Sequence, residues 1–301
     1  MTKTGTLRVI FLLLMVFLFS CSYSNRVNFD PESEDFYEEA RLIMSGEEKQ
    51  IFHHLPDKES RQEFIQDFWK KRDPTPQTDP NEFKQEFYER IDYANDRFKE
   101  GIPGWKTDRG RIYIYFGFPD RIEQEPMLNY PEVKGYLLWV YYRFNFAVQF
   151  IDKRGDNTYT LNPYSGIYGS LSQAMELAKF GISYSNEIGT QYIDFKANFK
   201  RSAKELTVSF PVKGISFVEE DGMLMADFEF QFYVYADQKG AEKKTFIENR
   251  HFESTERELV DQEEISFTFS FDLKPGKYFF DILIIGKPDI GRTRKIFKIR
   301  I

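Results

Sequence analysis

Eight consecutive residues, Gly104 to Arg111, concentrate the side chains of this chain that could do chemistry. They hold an indole at Trp105, a hydroxyl at Thr107, a carboxylate at Asp108 and guanidinium groups at Arg109 and Arg111. Two arrangements would use them. In one, Asp108 and the Arg pair line a pocket for an anionic or sugar ligand. In the other, Thr107 and Asp108 accept hydrogen bonds from turn amides, with Gly110 free to take positive φ. Arg109 and Arg111 would then pair with Asp73, Glu82 or Glu86 and lock helices to sheet through bidentate contacts. Trp105 serves the second arrangement as buried apolar surface, provided its N–H finds an acceptor.

Elsewhere the chain is thinly equipped. His53 and His54 are adjacent on a predicted helix and project about 100° apart, while His251 lies far along the chain. No pair has metal-ligand spacing, so neither a metal nor another cofactor is expected. No Gly-rich phosphate loop and no strand–Ser–helix nucleophile elbow appears. The 48 Asp and Glu residues keep a paired-acid hydrolase open, although in an acidic chain most such groups are solvated faces. The formal charge is −7 and there is no basic tract, which argues against nucleic acid as a partner.

The elements that must position these groups begin behind a leader. Lys3 and Arg8 precede an apolar run from Val9 to Phe19, which is too short for a comfortable bilayer span and suits a signal peptide over residues 1–20. The run ends at Leu18, Phe19, Ser20 and Cys21, which resembles a bacterial lipobox. Cys21 is the single cysteine and can form no internal disulfide. The expected product is a chain acylated at Cys21 on a tether of residues 21–33 and anchored stably by several acyl chains. By resemblance to Gram-negative sorting rules, Ser22 points to the outer membrane facing the periplasm.

Four helices follow, each with a readable start. Asp30 precedes Pro31, and Phe36, Tyr37, Ala40 and Ile43 share a face. Ser45 with Glu48 and Ser60 with Glu63 have capping-box spacing. Asp79 to Glu82 opens the longest helix, with Phe83, Phe87, Ile91, Ala94 and Phe98 as its buried stripe. After the Gly104–Arg111 joint, Arg111 to Phe116 is predicted as a strand. Tyr136 to Tyr142 and Phe146 to Asp152 form a predicted hairpin, and residues 170–179 a short helix.

Several of these stretches together resemble the GWxTD domain family. The resemblance rests on Phe64 to Trp69, Arg72 to Pro76, Asn81 and Glu82, Gly104 to Arg111, and Gly117, Pro119 and Asp120, in order across roughly residues 45–165. It implies a secreted, often lipid-anchored bacterial protein and supplies no reaction. Arg72 and Asp73 enter as a second motif beside Trp105, Thr107, Asp108, Arg109 and Arg111.

Residues 34–182 are thus expected to form an α+β domain, with the helices on a small antiparallel sheet. Beyond a linker at 181–191, residues 190–301 alternate as strands: Leu206, Val208 and Phe210; Phe228, Phe230 and Phe232; Ile265, Phe267 and Phe269. About seven strands predict an immunoglobulin-like β-sandwich, with Tyr278 as its corner tyrosine, that could fold alone. The functional expectation is a lipid-anchored envelope protein, non-catalytic, that binds or scaffolds a protein partner. The alternative is a glycan-binding or glycan-hydrolysing protein using Asp108 and exposed aromatics.

Overall fold

Capping side chains fix the starts of the N-terminal helices in the computed structural model, which describes residues 29–126, 132–162, 171–179, 194–287 and 291–301. Cys21 and the linker at 181–191 lie outside the described residues. Helix α1 (Pro31–Ala40) begins where the Asp30 carboxylate accepts the Ser33 amide at 3.2 Å and hydroxyl at 2.7 Å. Helix α2 (Gly46–His54) carries the reciprocal Ser45–Glu48 capping box. Helix α3 (Lys58–Lys70) starts earlier than expected. Asp57 caps it by accepting the Ser60 amide at 2.8 Å, so Ser60 already lies in the first turn and the Ser60–Glu63 box is not used. Asn81 caps α4 (Glu82–Arg97), which buries Phe87, Ile91 and Ala94.

The largest correction falls on residues 108–116. They form helix α5 (Asp108–Phe116) and not a strand. Ile112, Tyr113, Ile114 and Phe116 are all buried, so the segment is apolar nearly all round. A helix of that kind shows no 3.6-residue period, and the alternation of Ile and Tyr imitates a strand.

Four antiparallel strands follow in spatial order: β1 (Arg121–Pro126), β2 (Gly135–Tyr141), β3 (Phe146–Asp152) and β4 (Tyr159–Leu161). Asn145, at φ 51°, turns β2 into β3. Helix α5 packs on this sheet, with the Phe116 ring 4.8 Å from Phe146 and 5.6 Å from Tyr141. Helix α6 (Leu171–Lys179) completes the first unit.

The C-terminal unit has two antiparallel sheets. One is β5 (Lys196–Lys200), β6 (Glu205–Pro211) and β10 (Glu264–Ser270), in the order β10-β6-β5. The other joins β7 (Val218–Glu220), β8 (Met223–Ala236), β11 (Lys277–Lys287) and β12 (Gly291–Arg300) in the order β12-β11-β8-β7. Strand β9 (Lys243–Thr255) pairs with the other edge of β8 and leads into the single-turn helix α7 (Glu256–Leu259). Leu206, Val208 and Phe210 meet Phe228, Phe230, Phe232, Phe280 and Ile282 in one core between the sheets.

Strand alternation also couples the two units. Successive side chains point to opposite faces, so the residues between the inward phenylalanines turn the other way. Tyr233, Tyr235 and Phe279 join the core of the helical unit, with Phe36, Phe64 and Phe68. Both faces of β8 and β11 are therefore covered, and the core of the helical unit takes in residues from these two strands.

Candidate functional site

The Gly104–Arg111 stretch is built by close backbone approach. A Cβ on Gly104 would stand 1.8 Å from the Ala94 carbonyl oxygen, and one on Gly110 would stand 2.0 Å from the Gly104 carbonyl oxygen. Gly110 is therefore required for space and not for positive φ, as the sequence had suggested; Gly101 is the glycine here with positive φ, at 80°. The short 3-10 turn Gly104–Lys106 sets Trp105 into the core. The Thr107 hydroxyl donates to the Gly104 carbonyl at 2.7 Å and accepts the Gly110 amide at 3.0 Å, capping α5.

Asp108 fastens this turn to the sheet. Its Oδ2 accepts the Leu161 amide of β4 at 2.7 Å, and its Oδ1 pairs with Arg111. Arg109 donates to Glu100 at 2.8 Å and lies 4.7 Å from the Tyr159 ring centroid. The expected pairs with Asp73, Glu82 or Glu86 do not form. Because Arg109 and Arg111 sit on the first turn of a helix, they reach other partners. Glu82 accepts from Thr78, Glu86 pairs with Arg90, and Asp73 accepts the Thr75 amide.

An open cleft of about 640 Å³ adjoins the motif. Arg41, Lys49, Lys106, Arg111 and Lys179 line it, with Asp108 the one acid among the described residues. Leu42, Trp105, Ile112 and Met175 supply apolar wall. The Tyr115 hydroxyl donates to the Leu42 carbonyl and holds α5 against the chain leaving α1. Sequence reasoning found Arg111 and missed the other four cations, since positions 41, 49, 106 and 179 have no sequence relation that predicts their convergence.

A second charge cluster is buried between the units. Arg72 donates to both oxygens of Glu48, at 3.0 and 2.8 Å. Arg294 of β12 bridges Glu48 at 2.8 Å and Asp281 of β11 at 2.6 Å, and Lys71 reaches Asp281 at 2.6 Å. Burial alone would push the Glu48 carboxyl up, but Arg72 and Arg294 hold it well below the usual carboxylate range. Burial likewise opposes ionisation of Asp281, and Arg294 with Lys71 keeps its pKa lowered. For Lys71 burial prevails, and its pKa is lowered despite Asp281. Arg72 is thus a buried tie; Asp73 offers its backbone carbonyl to Arg292. Asp281, a lone charge in the apolar run of β11, was the available sequence signal.

The remaining candidates are dispersed. His53 bonds the Tyr37 hydroxyl at 2.9 Å, His54 lies 3.7 Å from Asp237, and His251 is 2.7 Å from Asp227. No group of three or more His, Cys, Asp or Glu gathers as a metal site among the described residues. Trp69, Trp105 and Trp139 are all buried.

Comparison with known proteins agrees with the motif. No curated protein matches the chain. Among solved structures it is similar to a hypothetical protein from Pyrococcus horikoshii OT3, at 13% identity over 36% of this chain and 84% of that one, with a TM-score of 0.20. A protein from Francisella tularensis str. tularensis SCHU S4 is similar at 8% identity over 37% of this chain and 93% of that one, with a TM-score of 0.19. Superpositions that weak carry no argument. The family model of the GWxTD domain matches residues 29–176, a span that takes in the capped helices, Arg72, the Gly104–Arg111 turn and the four-stranded sheet. The chain is a GWxTD domain-containing protein.

Proposed function

We propose that this chain is a lipid-anchored cell-envelope protein, held at Cys21 on the outer membrane facing the periplasm, that binds a protein partner and breaks no bonds itself. The observation that carries the non-catalytic part is the engagement of Asp108. Both of its oxygens serve the fold, one through Leu161 and one through Arg111. A general base needs an oxygen directed at a substrate proton, whereas this carboxylate works as a fastener. Phe118, Ile122 and Tyr142, at 64%, 56% and 63% exposure, surround the start of β1, and exposed apolar groups of this kind favour a protein partner. A glycan platform would favour open tryptophan faces, and the three tryptophans are buried; the open aromatics are Phe118 and Tyr142, beside the apolar Ile122.

We read the C-terminal unit as immunoglobulin-like, in keeping with a binding role. Support comes from the order β5-β6-β10 facing β12-β11-β8-β9, with Tyr278 at the start of β11 donating to the Lys274 carbonyl at 2.9 Å. Two measurements test the proposal. Mass spectrometry of the membrane fraction should find an acylated N-terminus at Cys21, and an unmodified terminus elsewhere would end the anchor reading. Asp108→Asn should lower stability by about 1–2 kcal/mol in thermal melting, since the charge opposite Arg111 is lost. An unchanged or raised melting temperature would mark Asp108 as a residue strained for a ligand and defeat the fastener.

A further inference from the structure

We infer that the free edge of β9 pairs antiparallel with the same strand of a second copy of this chain, in the register that sets Glu248 opposite the partner's Arg250. This goes beyond the reading above and depends on neither the lipid anchor nor the surface around Phe118. Among the described residues β9 pairs with β8 alone, over 13 residues in unbroken register from Lys243 to Thr255. Its other edge presents alternate amides and carbonyls, a template for a further strand. Several usual protections of an edge are missing, since residues 243–255 hold no proline, no glycine and no bulge. By contrast, the edge strands β4, β5 and β1 have only 3, 5 and 6 residues, and β1 ends at Pro126.

Charged side chains are the protection β9 does carry, and their order suits a copy of itself. Paired residues across a two-fold axis must share a face of the sheet, which fixes the partner strand to a few registers. The register centred on Asn249, the middle residue of β9, uses the whole strand. In it Glu248 faces the partner's Arg250 and Arg250 faces the partner's Glu248, while Phe246 faces the partner's Phe252. Moving the centre to Glu248 or to Arg250 sets like charges directly opposite each other, which is destabilising. The groups are accessible: Glu248 and Arg250 pair within the chain at 2.9 Å yet keep 48% and 34% of their side chains exposed. Ile247 beside them is 60% exposed. Lys243 is tied to Glu63 and Asp67 of α3 at 2.6 Å, so the open edge begins beyond it. Thr245 to Glu253 then offers roughly 30 Å of pairing. The product is one continuous sheet, β12-β11-β8-β9 followed by its two-fold copy.

The experiment uses the full chain purified in detergent. Light scattering after size exclusion, corrected for the micelle, should show a dimer in equilibrium with monomer. Glu248→Arg and Arg250→Glu should each raise the dissociation constant about tenfold or more, since each places like charges face to face. Mixed in equal amounts, the two variants should recover association, because every Arg then meets a Glu across the edge. Melting of each variant checks that the fold persists, and cross-linking tests the register without disturbing the charges. Asn249→Cys puts two thiols on the axis, where Cα atoms about 4.5–5.5 Å apart suit a disulfide. Mild oxidation should link Asn249→Cys copies into a dimer. Thr245→Cys copies, offset by roughly 27 Å, should link far more slowly. The unsubstituted chain, whose one cysteine is Cys21, is the blank. A chain that stays monomeric throughout the titration overturns the inference. So does a dimer that Glu248→Arg leaves unchanged, a mixture that fails to recover, or a Thr245→Cys link as fast as that of Asn249→Cys.

Discussion

Glu48 and Lys49 are neighbours on α2, and about 100° of helical rotation sends them into two opposite kinds of charge cluster. Glu48 is buried with Arg72 and Arg294, and its cluster is closed by Lys71 and Asp281. Lys49 lines the open cleft with Arg41, Lys106, Arg111 and Lys179. The residue types are the same, and burial separates their roles. In the dry cluster each carboxylate oxygen is matched to a cation at hydrogen-bond distance, because an unmatched charge there would be prohibitive. In the wet cleft Lys106 faces Glu38 and Arg111 faces Asp108 close to solvent, where water and salt screen the charges. The first arrangement locks two halves of a protein together, and the second holds its ion pairs open to solvent.

The comparison breaks most visibly at the dry cluster. Asp281→Asn leaves Lys71 and Arg294 buried against a neutral group, and Glu48→Gln does the same to Arg72 and Arg294. Either should lower unfolding free energy by about 3–5 kcal/mol in urea titration. Arg294→Met should cost clearly less. It removes the bridging cation and leaves two matched pairs, Lys71 with Asp281 and Arg72 with Glu48. Equal losses for all three variants would mean that charge matching does not govern this joint.

At the cleft, stability should reside in the apolar wall and not in the charges. Trp105 is buried where the 3-10 turn meets α4 and α5, so Trp105→Ala should cost about 3–5 kcal/mol. A loss below about 1 kcal/mol would mean that the indole faces the open cleft and contributes little to the core.

Acid should find the dry cluster. Glu48 and Asp281 have folded-state pKa values below their ordinary 4.5 and 3.8. Between the ordinary and folded values the unfolded chain binds more protons, so stability rises with pH across that window. The contribution is complete above about pH 5 and fades as pH falls below the ordinary values toward the folded ones. Melting temperature against pH should therefore drop on the acid side, and Glu48→Gln should flatten that drop. An unchanged acid limb in Glu48→Gln would remove Glu48 from the account.

Local chemistry was legible in the sequence, and long-range assembly was not. Asp30, Ser45 and Asn81 announce helix starts because a cap acts on amides two or three residues away. The inward phenylalanines of β8 were plain from their alternation. Helix α5 was misjudged because a helix buried all round loses its period. Gly104 and Gly110 sit where they do because of backbone 10 and 6 residues before them, which composition does not reveal. Lys71 and Asp281 are 210 positions apart, so neither predicts the other. The cleft shares that difficulty, with lining residues scattered from 41 to 179.

The smallest expected effect lies on the wet side and completes the contrast. Lys106 pairs with Glu38 across a surface where their side chains are 35% and 48% exposed. An ion pair so open to water is typically worth about 0–1 kcal/mol, because solvent answers both charges when the pair is broken. Lys106→Gln should therefore shift unfolding free energy by less than about 1 kcal/mol, and the shift should shrink further at high salt. Asp281→Asn, measured beside it, should keep most of its effect at high salt, since ions do not reach its site. A Lys106→Gln loss as large as that of Asp281→Asn would show that the cleft charges hold the fold. The division between a buried lock and an open, screened surface would then fail, and Lys106 would join the structural network that Glu48 anchors.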